Sequence, residues 1–233
     1  MRVDRLLPRG ARSGAPMRHP AFFDRVRPIV TRDPLAQTLG AADDGVIDFG
    51  YVDAVKFAGH SCPTVAGAYL MTARALERLY GRDLPRRGEI RVEVRQPQDQ
   101  GVAGVVGAVA GYLTGAAGDG GFKGLGGRYA RRNLLAWGAA IDGDLRFTRN
   151  DTGAAVDASV HAEVVAKPED LKSLMADALA PDADDAKRRE FAAAWQEWVR
   201  RIVIDHADDP ALVRLADVAP GTRGGPGGGS SLP

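Results

Sequence analysis

Two short polar turns set the fold class. Asp142-Gly143 and Asp151-Thr152-Gly153 separate three apolar, β-rich runs: Leu134–Ile141, Leu145–Arg149 and Ala154–Val165. Turns of this length and residue type join antiparallel neighbours, so the three runs are expected as an antiparallel meander. Upstream, Ile90, Val92 and Val94 alternate with Arg91, Glu93 and Arg95, a half-buried strand that ends at Pro97. Two helical runs flank it. In the first, Val65, Tyr69, Leu70, Ala73, Leu76 and Leu79 recur at helical spacing, opened by Pro63 and closed by Gly81. In the second, Val102, Val105, Val106, Val109 and Leu113 form one face and Gly104, Gly107 and Gly111 a neighbouring one. Three glycines destabilise a helix unless a sheet or a partner must approach closely. The order helix, strand, helix, three strands defines an α+β chain with a mixed or antiparallel sheet.

The rest of the chain adds helices at both ends. Phe22–Arg27 reads as a short helix stopped by Pro28, and Asp33-Pro34-Leu35 opens another that ends near Gly40. Val46–Phe57 shows no single period. Helices are expected at Pro168–Leu179, Ala183–Ile204 and Pro210–Ala216, the middle one carrying Trp195 and Trp198. Residues 1–18 and the Gly-rich tail 219–233 are too poor in apolar residues to offset their ordering entropy and are expected to be disordered. The domain is thus expected over 19–166, with a helical extension over 167–218.

Charge and composition exclude several functions. Among 233 residues, 31 Lys and Arg against 30 Asp and Glu leave a net charge of +1, without the basic excess of a nucleic-acid binder. No apolar run approaches the roughly 18 residues that cross a bilayer, so no membrane partner is expected. Met1–Pro16 lacks the apolar stretch of a secretory signal. The single cysteine, Cys62, excludes an internal disulfide and any multi-cysteine zinc module within one chain. The cytoplasm is the expected compartment.

That cysteine stands directly before Pro63, at the N-cap of the first long helix. There the sulfur meets unpaired backbone N–H groups and the positive end of the helix dipole, which favour the thiolate. His60 lies two residues earlier, and imidazole with thiolate suits zinc, iron or copper. The alternative is a buried small apolar residue beside an ordinary surface histidine.

The run Asp53-Ala54-Val55-Lys56-Phe57-Ala58-Gly59-His60-Ser61-Cys62-Pro63-Thr64-Val65-Ala66-Gly67-Ala68-Tyr69 resembles the signature of the FmdE family, proteins similar to one component of formylmethanofuran dehydrogenase. The family signature reads Gly-His-x-Cys-Pro-Gly before a glycine-containing helix. The resemblance covers His19 to about Val165 and implies an α-β-α-β-β-β core, a homodimer and a transition-metal site, often zinc, with His60 and Cys62 as ligands. The chain departs from the family where Ala58 replaces a further histidine, where Glu93–Gly115 lacks a further cysteine, and where the cysteine-rich zinc tail is missing. It therefore resembles a divergent branch.

Three functions follow from these residues. One is a metal site, zinc or iron (haem iron included), that acts as a Lewis acid on a small-molecule substrate or activates water. Another is a non-catalytic metal-carrying or accessory subunit. The last is a metal-free enzyme with Cys62 as nucleophile and His60 as base. The glycine-rich stretch Gly115–Arg128 matches no nucleotide-binding spacing; it reads as a surface loop or as a lid whose Asp119 and Lys123 contact substrate. His161 falls on the polar face of the last predicted strand with Asp157, Ser159 and Glu163, a face expected to meet solvent. His161 would complete a metal shell only if that face lined a dimer groove.

Overall fold

The computed structural model describes residues 17–219. The ends expected to be disordered lie outside them, save Met17, Arg18 and Ala219. After a 3₁₀ turn at Ala21–Arg25, strand β1 (Ile29–Arg32) pairs antiparallel with β2 (Val46–Phe49), Ile29 opposite Phe49. Between them lies the short helix α1 (Pro34–Thr38), capped by Asp33, whose Oδ1 accepts the N–H groups of Leu35 and Ala36 at 3.0 and 3.1 Å. Val46–Phe57 shows no single period because it is two elements. Its first four residues form β2, and the rest enter helix α2 (Tyr51–Ala58). Asp53 marks that boundary by accepting the Gly50 N–H at 2.9 Å.

Helices α3 (Pro63–Tyr80) and α4 (Ala103–Thr114) and strand β3 (Ile90–Val94) fall where periodicity places them. Strands β4 (Leu135–Ala136), β5 (Leu145–Arg149), β6 (Ala155–Val160) and β7 (Val213–Val218) complete a mixed sheet of order β4-β3-β5-β6-β7. The fold is α+β. β5 and β6 form the expected hairpin, but Leu134–Ile141 does not join it. That segment runs parallel along the far side of β3, and the N–H groups of Gly138 and Ala139 bond to the carbonyls of Gln96 and Val94 at 3.1 and 3.0 Å. Trp137 explains the choice, because its ring lies on α4 where Gly107 leaves room; a Cβ there would collide with the ring and stand 2.8 Å from Val94 Cγ2. The glycine face of α4 is thus spent inside the chain, against the sheet.

Val92, Phe147 and Val156 stand opposite one another across β3, β5 and β6 and are buried. α3 lies against β5, β6 and β7, and α4 against β3. One residue along, Glu93, Arg146 and Asp157 form a second row, and they too are buried. Arg146 Nε and Nη2 donate to the Asp157 carboxylate at 2.6 and 2.9 Å. Asp157 therefore does not meet solvent as its alternation suggested; a guanidinium across the ladder satisfies it.

The C-terminal part carries helices α5 (Leu171–Leu179) and α6 (Asp185–Arg200), the latter continued by a π-helical turn at Arg201–Asp205. The expected helix at Pro210–Ala216 is instead part of β7, which pairs with β6 over six residues, from Val160 opposite Val213 to Ala155 opposite Val218. β6 presents an open row of backbone donors and acceptors, and the alternation Val213-Arg214-Leu215 suits its pleat. Val199, Ile202, Val203 and Leu212 share one buried cluster with α3 and the sheet, so this segment is built into the core. Among the described residues, no helix is long and apolar enough to cross a membrane.

Candidate functional site

The turn between α2 and α3 is fixed at both ends. Gly59 closes α2 in the left-handed region at φ 77°, where a side chain would be strained. Cys62 caps α3 with extended backbone, and its Sγ accepts the Val65 N–H at 3.4 Å. The sulfur is thus held at the mouth of an 18-residue helix, half-buried against the hydrophobic core. Ser61 anchors the turn from two sides. Its carbonyl accepts Trp195 Nε1 at 3.0 Å and Gln196 Nε2 at 3.2 Å from α6, and its hydroxyl lies 3.0 Å from the buried Tyr51 hydroxyl. Burial pushes the Tyr51 phenol up; the Ser61 hydrogen bond offsets this in part, and the nearby Cys62 adds to it. Tyr51 stays protonated across the physiological range as a result.

His60 is exposed, and its Nδ1 lies 3.0 Å from the Ala58 carbonyl. A hydrogen bond to a carbonyl places the proton on Nδ1 and leaves Nε2 as the free lone pair. His60 lines an open hollow of about 450 Å³, together with Val55, Lys56 and Ser61, the N-terminal segment from Met17 to Pro20, Phe23, and Gln196 from α6. Cys62 is not among its lining residues. The two predicted ligands therefore share one turn, but the imidazole meets the hollow while the sulfur meets the first turn of α3.

The hollow also brings in His19, from the segment ahead of the first 3₁₀ turn. Its ring stacks on Phe23 at 5.4 Å, with Nδ1 3.2 Å from the Pro20 carbonyl and Nε2 3.6 Å from Asp24 Oδ1. No local pattern could have placed it beside His60, since the approach depends on how the N-terminal segment packs on α2 and α6.

Asp119 and Lys123 do not reach this site. Neither lines the hollow, Lys123 is exposed, and Asp119 Oδ1 accepts its neighbour's N–H, that of Gly120, at 2.8 Å. Their loop is tied down on the α1 side. Thr38 Oγ1 donates to the Tyr129 hydroxyl at 2.9 Å, and Arg131 Nη2 lies 2.6 and 2.7 Å from the two Asp33 oxygens. Arg87 Nη1 adds a contact to Asp33 at 2.9 Å. Burial alone would raise the Asp33 carboxyl, but hydrogen bonds from Arg131, the Ala36 N–H and Arg87 win and hold it below the usual carboxylate range. The lid reading has no support in this arrangement.

His161 lies just past β6, with Nδ1 3.0 Å from Glu163 Oε1. Among the described residues, no three His, Cys, Asp or Glu side chains gather closely enough to hold a metal ion together. Cys62 Sγ and His60 Nε2 are donors of the right chemistry for two positions of a zinc or iron shell. Fold and site define an α+β protein with a thiol-capped helix beside an imidazole-lined hollow. No model of a known protein family matches the chain, and no curated protein matches it.

Proposed function

We propose that the chain is an FmdE-like metal-binding protein in which Cys62 Sγ and His60 Nε2 hold a transition metal, zinc first, and the adjacent hollow admits a small molecule. The observation that carries this reading is the Gly59–Pro63 turn, which holds a sulfur at a helix mouth and, two residues away, an imidazole whose Nδ1 is committed and whose Nε2 is free. A carbonyl on the second ring nitrogen is how metal-binding histidines are commonly oriented. Within one chain this gives two donors, so water, the small molecule or a second copy of the chain supplies the others, and a homodimer belongs to the reading, as does a cytoplasmic location. A metal held there supplies Lewis acidity or an activated water. The chain's own residues fix the turn: Tyr51 and Trp195 hold Ser61, and α6 covers it.

A non-catalytic metal carrier is the second reading, favoured because among the described residues no third donor side chain gathers with this pair. Elemental analysis of wild-type and Cys62→Ser protein, each purified without chelator, tests both readings. Stoichiometric metal in the wild type and its loss in the variant are expected. Equal metal content in both proteins would overturn the site. The same measurement separates zinc from iron, a visible absorption band would reveal haem, and light scattering reports the dimer.

A further inference from the structure

We infer that the hollow beside His60 binds a small organic anion, a carboxylate or phosphate ester that also carries a hydroxyl or N–H group. The inference deepens the reading above and rests on the same turn, yet it requires no metal. Arg18, His19, Lys56 and His60 line the hollow, and none of its described lining residues is acidic. The nearest carboxylates act from outside it: Asp24 Oδ1 is 3.6 Å from His19 Nε2, and Asp53 Oδ1 is 3.9 Å from Lys56 Nζ. Both separations exceed a hydrogen bond, so the ammonium keeps its donors for a ligand. Both histidines commit Nδ1 to a backbone carbonyl, at 3.0 Å to Ala58 and 3.2 Å to Pro20, so the Nε2 lone pair of each ring is left to accept the ligand's O–H or N–H. The two cations around one concavity favour an anion and raise its local concentration.

Gln196 supplies the second half of the argument. Its amide nitrogen is held by the Ser61 carbonyl at 3.2 Å, while its Oε1 is buried without a hydrogen-bond partner among the described residues. A small adjustment of the Gln196 side chain would bring this unmet acceptor to a ligand O–H or N–H at the wall of the hollow. Phe23 and Val55 give the ligand an apolar wall, and about 450 Å³ is the scale of a small-molecule site.

Titration of metal-stripped full-length protein, followed through the imidazole C–H resonances, tests the inference. Glycerate and glycerol phosphate are the probes, and propionate is the control that lacks hydroxyls. Saturable shifts of His19 and His60 with glycerate or glycerol phosphate are expected, and the stronger of the two identifies the anionic group. Propionate is expected to bind more weakly. Lys56→Ala should weaken binding about tenfold, as loss of one charge-assisted hydrogen bond implies, while Cys62→Ser leaves it unchanged. Arg18→Ala is the substitute should Lys56→Ala fail to fold. No saturable shift with either probe, or equal affinity after loss of the cation, overturns the inference. Binding that appears only in zinc-loaded protein and vanishes in Cys62→Ser also overturns it, and leaves the metal reading standing. Equal anion binding by wild-type and Cys62→Ser proteins, with both found metal-free when purified without chelator, would do the reverse.

Discussion

The Arg131 guanidinium closes on both carboxylate oxygens of Asp33, at 2.6 and 2.7 Å, and so ties the glycine-rich loop to the helix that Asp33 caps. One buried carboxylate thereby serves two arginines and two backbone N–H groups. Replacement of Asp33 by Asn leaves Arg87 and Arg131 facing each other without a counter-ion. We expect Asp33→Asn to lose about 3 kcal/mol of stability, measured by urea unfolding, the usual scale for removing one partner of a buried pair.

The same contact predicts a pH dependence. Because folding holds the Asp33 carboxyl below its ordinary value, the unfolded chain takes up this proton first as pH falls. Its contribution is complete above the unfolded value of roughly 4 and is lost as pH drops through the lower folded value. Urea midpoints taken from pH 7 to pH 3 should fall less steeply at the acid end for Asp33→Asn than for the wild type, and parallel curves would refute the assignment.

Cys62 separates capping from metal binding. Serine is a good N-cap and alanine a poor one, so Cys62→Ser should keep the wild-type unfolding midpoint while Cys62→Ala loses about 1 kcal/mol. Both variants should lose metal. A serine variant as unstable as the alanine variant would show that the sulfur acts through core packing and not through the Val65 N–H.

Trp195 anchors the turn that carries that sulfur. Trp195→Phe removes the donor to the Ser61 carbonyl, which Gln196 alone would then hold. Alkylation of Cys62 should accelerate several-fold, with about 1 kcal/mol of stability lost. An unchanged alkylation rate would mean that α6 does not guard the turn.

Gly107 is the test of close packing. Gly107→Ala must displace the Trp137 ring or Val94, since both occupy the space a Cβ would take. Overpacking of this kind costs about 1–3 kcal/mol, read by thermal unfolding, and a shift in tryptophan emission should accompany it.

Local chemistry made the central elements legible. Cys62-Pro63 announces the start of α3, Asp33-Pro34 the start of α1, and the Asp151-Thr152-Gly153 turn the β5–β6 hairpin, because each signal is spent within a few residues of where it sits. β7, and the pairing of β4, escaped for the opposite reason. Leu212 to Val218 is short and mixes good helix formers with β-branched residues, and only the open edge of β6 decides it. β4 pairs in parallel with a strand far upstream of it, a choice made by Trp137 finding Gly107. At the site, the turn was legible and its surroundings were not. His60 and Cys62 are named by the motif itself, whereas His19 and Gln196 arrive from remote segments, and Asp119 and Lys123, offered by the glycine-rich loop, lie outside the hollow.

Ser61 is roofed by residues that the ribosome adds long after Cys62. While the chain is being made, the turn therefore lacks this anchor until Trp195 has emerged and docked. The geometry of the turn is thus completed late, after every strand but β7 has been synthesised.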